Sequence, residues 1–278
     1  DEVGLVVTHV TEDGFLRFAG VGGIDCRVLP GKRVFIGAEG VPGVIGIKPF
    51  HLTKSAEREK APEQDALYID IGAMSRDDAL TRVCVGDFCA FDPEVMEFGD
   101  KYLAAKAIDD RFGCAVLINL LESNLPLDCS FAFTVQEEVG TRGAATAAYA
   151  VAPDIAIVLE ATTAADLPGV DDSKTICKLG GGAVAPFMDG GTVYDRELWS
   201  LLRDTARERG ILWQTKEYIS GGTDAAVIHK SRAGVYTAAI AAPVRNLHSP
   251  SCVAKISDLE AAALLTRAFL DKLGEIYG

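Results

Sequence analysis

Two patterns of hydrophobic and polar positions divide the chain near residue 95. Before this point, short β-branched and other apolar runs alternate with turn signals, which predicts a small β-barrel or sandwich. We predict strands at residues 5–10, 34–36, 44–47 and 67–71, and turns at Asp13 with Gly14, Pro30 with Gly31, and Pro42 with Gly43. The polar stretch at residues 53–65 is predicted to be a surface loop.

After residue 95, longer amphipathic stretches alternate with apolar runs. We predict helices at residues 111–121, 143–150, 195–209 and 257–277, and strands at residues 130–135, 155–159 and 235–240. This alternation favours a three-layer α/β domain with a largely parallel sheet. In such sheets, functional sites form at the carboxyl ends of the strands.

Composition and charge exclude several classes of partner. With 278 residues, of which 49% are hydrophobic, the chain is long enough for two domains. A net charge of −13 argues against binding nucleic-acid backbone or an anionic membrane surface. No apolar run reaches the roughly 18 residues of a membrane span. The seven cysteines lack zinc-finger spacing, and their odd number favours reduced thiols over a set of disulfides. Because reduced thiols are usual in the cytosol, we expect a cytoplasmic protein.

The candidate chemistry consists of carboxylates at the ends of predicted elements, together with one histidine in a loop. Carboxylate oxygens with a single imidazole are typical of the ligand sets that hold paired hydrolytic metal ions. A carboxylate beside such ions can act as a general base. The candidate residues are Asp109, Glu137, Glu138, Glu160 and His248.

Each candidate also has an ordinary structural explanation. The Asp109 and Asp110 pair could cap the helix that follows it. The glutamate pair could begin a solvated loop, although the glycines at positions 140 and 143 indicate a tight turn. Glu160 could be an exposed strand end. The glycine runs at residues 180–182 and 221–222 match no nucleotide-binding loop, so we predict no nucleotide site.

The order of the segments is more specific than any one of them. The succession AKAIDDR, QEEVGTRGA, VLEATTAADLPG, SGGTDAAVIHKSRAGV and RNLHSP resembles the cocatalytic metallo-aminopeptidases that include glutamyl aminopeptidase and the tetrahedral (TET) aminopeptidases. The resemblance covers essentially the whole chain. It implies an α/β class fold, in which a three-layer peptidase domain with a mixed central sheet carries an inserted small β-barrel dimerisation domain. The implied boundaries are 1–4 and 95–278 for the catalytic domain and 5–94 for the barrel.

The resemblance also implies a role for each candidate. Asp109 would bridge two divalent ions, which could be zinc, cobalt or manganese. Glu138 and His248 would complete the site of one ion, Glu160 would bind the other, and Glu137 would be the general base. The opening DEVG resembles the end of a conserved family segment, in which Asp1 would orient a metal-binding histidine. That histidine would precede residue 1, so we expect the sequence to be N-terminally truncated and the activity of this polypeptide to be uncertain.

We therefore expect a cytoplasmic, dinuclear metal-dependent aminopeptidase that acts on peptide substrates and assembles as a homodimer, possibly a dodecamer. Three alternatives stay open. The chain could be a related metal-dependent deacylase or amide hydrolase, or a non-catalytic truncated assembly subunit. A glycosidase would need carboxylates roughly 5–9.5 Å apart on either side of the bond, whereas Glu137 and Glu138 are adjacent.

Overall fold

The computed structural model describes residues 2–278, except for the side chains of residues 56 and 57. The described chain forms two compact units. Glu2–Val95 with His248–Pro250 builds the first, and Met96–Leu247 with Ser251–Gly278 builds the second. Each unit has a hydrophobic core of its own, which is the physical mark of a domain.

Six antiparallel strands form a closed barrel in the first unit. They are β1 (Gly4–Val10), β2 (Leu16–Val21), β3 (Arg33–Ile36), β4 (Val41–Ile47), β5 (Leu67–Asp70) and β6 (Phe88–Phe91). Their order around the barrel is β1-β2-β5-β4-β3-β6. Alternate side chains point inward, as in β3, where Val34 and Ile36 are fully buried. The pattern of β-branched runs had identified four of these strands but neither β2 nor β6.

The predicted turn at Pro42 and Gly43 is wrong, because both residues lie inside β4. A Cβ atom at Gly43 would lie 2.8 Å from the side chain of Ile69. Close packing inside the barrel therefore requires this glycine. The chain turns between β3 and β4 instead, where Gly37 and Gly40 have φ angles of 67° and 64°, values that favour glycine.

Two short helices lie outside the strands of the barrel. The first, α1 (Ser55–Arg58), falls within the mostly exposed stretch that we had predicted to be a loop. The second, α2 (Arg76–Leu80), begins after Ser75. The hydroxyl of Ser75 accepts a hydrogen bond from the Asp78 backbone N–H at 3.2 Å, which satisfies one donor of the first turn.

The second unit contains a seven-stranded mixed sheet. Its strands are β7 (Met96–Phe98), β8 (Tyr102–Ala105), β9 (Ile155–Thr163), β10 (Ala183–Val184), β11 (Trp213–Gln214), β12 (Tyr236–Arg245) and β13 (Cys252–Lys255). The order is β11-β10-β12-β13-β8-β7, and β9 also pairs with β12. Only the β9–β12 and β10–β11 pairs are parallel. The expectation of a largely parallel sheet was therefore wrong, because β7, β8 and β13 pair antiparallel. The mixed sheet and the barrel together confirm the fold class that the resemblance implied.

Helices of the second unit pack on this sheet and on one another. They are α3 (Ile108–Leu121), α4 (Arg142–Val151), α5 (Arg196–Glu208), α6 (Ala225–Ile228) and α7 (Ile256–Tyr277). In α5, Leu198 and Leu202 are buried one turn apart, and Asp195 caps the helix by accepting from the Leu198 N–H at 2.8 Å. Within the part of the chain that the structure describes, no helix has the length and apolar character needed to cross a membrane.

The strand predicted at residues 130–135 is not present as a strand. These residues pair with no strand in the described chain. Their β-propensity alone therefore does not produce a β-strand. The segment is held at its end by α4, because the Gly143 N–H donates to the carbonyl of Val135 at 2.9 Å.

Candidate active site

Asp109 and Asp110 lie at the start of α3, where the backbone has not yet become helical. The peptide bond between them is cis. The Asp110 carboxylate accepts a hydrogen bond from the Gly113 N–H at 2.9 Å, so it is Asp110 that caps the helix. A Cβ atom at residue 113 would collide with this carboxylate, and the cap therefore needs glycine. Asp109 contributes to the carboxylate clusters described below.

Glu137 and Glu138 lie in a tight turn that precedes α4. The N–H groups of Gly140 and Thr141 both donate to the Glu137 carbonyl at 2.9 Å. Gly140 has a φ angle of 118°, which an L side chain rarely adopts. The backbone that carries the two carboxylates is therefore fixed by hydrogen bonds and by glycine geometry.

Glu160 was expected at the end of a strand but lies within β9, which continues to Thr163. The strand is longer than its apolar run because it pairs with β12 along its whole length, with Glu160 opposite Ala241. Glu160 is only 8% exposed. An exposed strand end therefore does not explain this residue.

The predicted metal ligands fall into two groups that share Asp109. Ligand atoms of Asp109, Asp110 and Glu160 lie within 4.8 Å of one another. A second group, also within 4.8 Å, joins Asp109 to Glu138 and to His248 from the loop after β12. Asp110 is the one member of these groups that we had not considered as a ligand.

Crowding and burial change the ionisation of this cluster. Burial raises the pKa of Glu160 well above the ordinary range of a carboxyl group, and the negative charge of Asp109 adds to the rise. Burial, again with the charge of Asp109, raises the pKa of Asp110. Glu137 belongs to neither ligand group, yet its charge contributes to both shifts. It therefore lies close to the cluster.

These residues fit a divalent metal centre. Several carboxylates in a low-dielectric site cannot all ionise unless cations neutralise them. Oxygen donors with one imidazole nitrogen suit zinc, cobalt or manganese. Asp109 lies in both groups, which is the arrangement that a bridging carboxylate needs.

A cavity of about 1180 Å³ opens over the carboxylates. Its wall includes Glu137, Glu160 and apolar side chains such as Phe131 and Leu270. Asp224 also lines it, and one of its oxygens accepts from the Thr134 hydroxyl at 2.6 Å. Its other oxygen has no hydrogen-bond partner among the described residues. The cavity can therefore present polar acceptors to a ligand inside a largely apolar enclosure.

Asp1, predicted as a positioning carboxylate, lies outside the described residues. Three other sequence features lie in ordinary structural positions. His9 lies in β1, and His229 ends α6. The glycine run at residues 180–182 binds a carboxylate of the protein itself, because Gly180 and Gly182 donate to Asp258 at 2.6 and 2.9 Å. This contact explains the run without a nucleotide.

Sequence reasoning missed a polar cluster beside the site. Asp189, Tyr194 and Lys216 are 1%, 4% and 4% exposed. The charge of Glu160 acts on both Tyr194 and Lys216, which places these two residues near the carboxylates. No motif marks them, because Lys216 lies in a different loop from Asp189 and Tyr194, and none of the three belongs to the segments that carry the resemblance.

Comparison with protein families agrees with this geometry. The sequence model of the M42 glutamyl aminopeptidases matches residues 1–265. A putative aminopeptidase of Acetivibrio thermocellus is 37% identical over 267 residues, covering 95% of this chain and 78% of that protein. The lysyl aminopeptidase of Pyrococcus furiosus and the glutamyl aminopeptidase of Lactococcus lactis are each 30% identical and cover 98% of this chain. Those matches span 80% and 78% of the two relatives, respectively.

Solved structures show the same similarity in three dimensions. An aminopeptidase of the archaeon Desulfurococcus kamchatkensis has a TM-score of 0.89 and 38% identity, covering 98% of this chain and 77% of its own. The TET1 peptidase of Pyrococcus horikoshii, described as assembling into a tetrahedron or a large octahedral shell, has a TM-score of 0.85 and 34% identity. That match covers 97% of this chain and 81% of the other.

Proposed function

This chain belongs to the M42 glutamyl aminopeptidase family, and on that premise we propose that its carboxylate cluster is the dinuclear catalytic centre of an aminopeptidase. Asp109 would contribute to the sites of both ions, Glu138 and His248 would complete one site, and Glu160 would complete the other. The crowding of Asp109, Asp110 and Glu160 within 4.8 Å carries this proposal. Such a group is stable in its ionised form only beside cations.

When bound, paired divalent ions lower the pKa of a water molecule and polarise the carbonyl of the scissile bond. Glu137 accepts the proton of the attacking water and delivers it to the leaving amine. A general acid–base of this kind contributes about 10²–10⁴-fold to the rate. Its support is the turn at Gly140 and Thr141, which fixes the Glu137 backbone beside the cluster.

The free amine of the substrate gives the reaction its specificity for the first residue. In this proposal the amine lies among carboxylates in the cavity, where Asp224 offers an oxygen that accepts no hydrogen bond from the described residues. An N-acetyl group removes the charge of the amine and adds bulk, so these buried acceptors lose their partner. Mismatches of this kind can lower kcat/KM by several orders of magnitude.

Mass spectrometry of a peptide digest tests the proposal. The protein, loaded in turn with zinc, cobalt or manganese, is given an unblocked peptide and its N-acetylated copy. We expect single amino acids to be released from the first peptide only. Internal fragments, or equal turnover of the acetylated peptide, would contradict an aminopeptidase. Preference for the N-acyl substrate would indicate the related deacylase instead.

Family membership alone does not fix the bound ions, the cellular compartment or the preferred first residue of the substrate. The bound ions number two per subunit and are zinc, cobalt or manganese, as the donor set supports. The protein acts in the cytosol, which its seven free cysteines support. The first residue of the substrate is not set by the family, since relatives are described both as lysyl and as glutamyl aminopeptidases.

We also propose that the barrel joins copies of this chain into a homodimer or a larger shell. Its surface carries apolar side chains that a monomer would leave in water, such as Phe88, Val85 and Met74 at 68%, 58% and 88% exposed. Exposed apolar groups of this kind mark association surfaces when they are contiguous. The assembled TET1 relative supports the same conclusion.

A further inference from the structure

An ion pair joins the segments at the ends of β9 and β12. The Nε and Nη2 groups of Arg245 donate to the two carboxylate oxygens of Asp166, each at 2.7 Å. The side chains of Asp166 and Arg245 are 12% and 30% exposed. Two parallel hydrogen bonds between a guanidinium and a carboxylate fix the orientation of both groups as well as their separation. No step of the mechanism above uses either residue.

The backbone also holds the carboxylate of Asp166. One of its oxygens accepts a second hydrogen bond, from the Leu179 N–H at 3.1 Å. Burial by itself would raise the pKa of Asp166, but the hydrogen bonds from Arg245 and Leu179 outweigh this effect and lower the pKa below its ordinary 3.8. Asp166 is therefore ionised at neutral pH, and the ion pair persists there.

The ion pair lies just beyond the end of the parallel β9–β12 ladder. The two strands pair along their length, up to Thr163 with Val244. Arg245 is the last residue of β12, and Asp166 lies three positions after the end of β9. Both residues are therefore at the carboxyl ends of parallel strands, where α/β sheets carry their functional sites.

The backbone turns sharply beside both members of the ion pair. Ala165, next to Asp166, has a φ angle of 58°, and Asn246, next to Arg245, has a φ angle of 56°. His248 follows with a φ angle of 55°. Residues with a side chain rarely adopt this left-handed conformation, which persists only where surrounding contacts determine it. The ion pair is such a contact for both segments.

The same two strands lead to a ligand candidate for each proposed ion, but they hold the two ligands differently. Glu160 lies within β9 and pairs with Ala241 of β12, so the ladder itself fixes its position. His248 lies outside the ladder, three residues after Arg245. Between them, Leu247 packs against the core of the second unit. The position of His248 therefore depends on how its loop leaves β12.

We propose that Asp166 and Arg245 are positioning residues for His248, and that they set the metal affinity of its site while leaving the Glu160 site unchanged. The inference rests on the proposed function, which assigns His248 and Glu160 to different ions. Groups that orient a metal ligand from outside the ligand set typically change metal affinity by about 10–100-fold when they are removed. Neither Asp166 nor Arg245 belongs to the two ligand groups, so their effect acts through His248.

Calorimetric titration of the metal-free protein with zinc tests this inference. In Asp166→Asn, which keeps the size but removes the charge, the affinity for one ion should fall by about 10–100-fold and that for the other by less than about threefold. Arg245→Lys keeps the charge but loses the paired geometry, and it should cause a smaller loss at the same site. The control Asp271→Asn, which breaks an ion pair with Arg267 within α7, should leave both affinities unchanged.

A double substitution identifies the affected site. His248→Gln removes the imidazole ligand and should by itself weaken the binding of one ion. Asp166→Asn added to His248→Gln should cause no further loss, since both substitutions act on the same ligand. Losses that add in the double variant would show that Asp166 acts elsewhere and would contradict the inference.

NMR of the histidine side chains gives a measurement that needs no metal. The chain has four histidines, and comparison with His248→Gln assigns the ring signals of His248. In the metal-free protein, Asp166→Asn should shift or broaden these signals. The signals of His9, in β1, should stay unchanged and serve as the internal reference. If Asp166→Asn does not fold, Arg245→Lys provides the same comparison.

Equal loss of affinity for both ions in Asp166→Asn, or unchanged affinity for both, would overturn the inference. Unchanged ring signals of His248 would do the same. Absence of zinc binding by the wild-type protein, or of hydrolysis of every unblocked peptide, would contradict the proposed dinuclear aminopeptidase instead. In that case, the NMR comparison would still decide whether the ion pair positions His248.

Discussion

Adjacent residues of the same type have different roles in this site. Asp110 accepts the Gly113 N–H and caps α3, while Asp109 lies in both metal-ligand groups. Both interpretations of the aspartate pair, as a helix cap and as a ligand, therefore find support, because Asp110 caps the helix and also lies in one of the ligand groups. The glutamate pair poses the same question, because Glu138 lies in a ligand group and Glu137 lies beside the cluster.

Two matched substitutions distinguish base from ligand. Glu137→Gln keeps the size of the side chain but cannot accept the proton, so turnover should fall by about 10²-fold or more with metal content unchanged. Glu138→Gln should lower the metal content. The measurements are steady-state kinetics and metal analysis of the purified variants. Equal metal loss in both variants would show that the two roles are wrongly assigned.

The metal-free protein should lose stability as the pH rises. The pKa of Glu160 is raised by burial and by Asp109 from its ordinary 4.5, so above that pH the folded state binds more protons than the unfolded state. Stability then falls with increasing pH, up to the raised pKa of the folded state. Thermal unfolding should show this decline in the metal-free protein. Added divalent ions should raise Tm more at pH 7.5 than at pH 5, since they bind the ionised carboxylate.

Glu160→Gln should weaken this pH dependence, because the amide does not titrate. The exposed Glu197 provides the matched control, and Glu197→Gln should keep the wild-type profile. Stability of the metal-free protein that increases from pH 5 to pH 7.5 would contradict the assignment of a raised pKa to Glu160.

At the level of elements, one buried side chain connects a loop to a helix. Asp258 lies in the first turn of α7, is 0% exposed, and accepts hydrogen bonds from Gly180 and Gly182. The loop that they belong to leads into β10, the strand that continues the sheet from β12 towards β11. Asp258 therefore fixes the loop that leads into this edge of the sheet.

Asp258→Ala should destabilise the α/β unit by about 3 kcal/mol, because two backbone N–H groups lose their acceptor in a buried site. Asp271→Ala on the same helix removes a partly exposed pair with Arg267 and should change stability by less than about 1 kcal/mol. Denaturant unfolding measures both values. Similar effects of the two substitutions would show that the buried contact contributes little.

Across the whole molecule, two cores support two separate units. The barrel core contains residues such as Leu5, Ile36 and Ile69, and the α/β core contains Ile240, Leu202 and Phe269. Neither core contains a residue of the other unit. Among the described residues, the metal-ligand candidates that cluster around Asp109 all come from later in the chain than the barrel strands.

Deletion of residues 5–94 should therefore leave a folded α/β unit and should abolish association. Light scattering measures the molar mass, and circular dichroism measures the helix content that remains. An unchanged oligomer after the deletion would show that association depends on another surface. Loss of helical structure would show that the α/β unit depends on the barrel for folding.

Local sequence patterns were sufficient to predict the long helices and to identify the family. Hydrophobic period predicts α5 and α7 closely, since burial of one face repeats every three to four residues. The order of the polar segments identified the aminopeptidases, and the fold class that this implied is confirmed. Predictions from local patterns were wrong where residues distant in the sequence determine the secondary structure. Residues 130–135 have strand propensity but no neighbouring strand, and Gly43 is set by the packing of Ile69 and not by a turn.

The polar residues that share a site could be grouped only from their positions in the folded chain. Asp109 and Glu160 are 51 positions apart in the sequence, and no local rule brings their carboxylates to within 4.8 Å. Lys216 carries no motif, yet it is buried where the charges of Asp189 and Glu160 act on it. Periodicity indicates which face of an element is buried, whereas desolvation and charge proximity depend on residues from several elements. For this reason the order of the polar segments identified the family, whereas the grouping of its polar side chains became visible only in the fold.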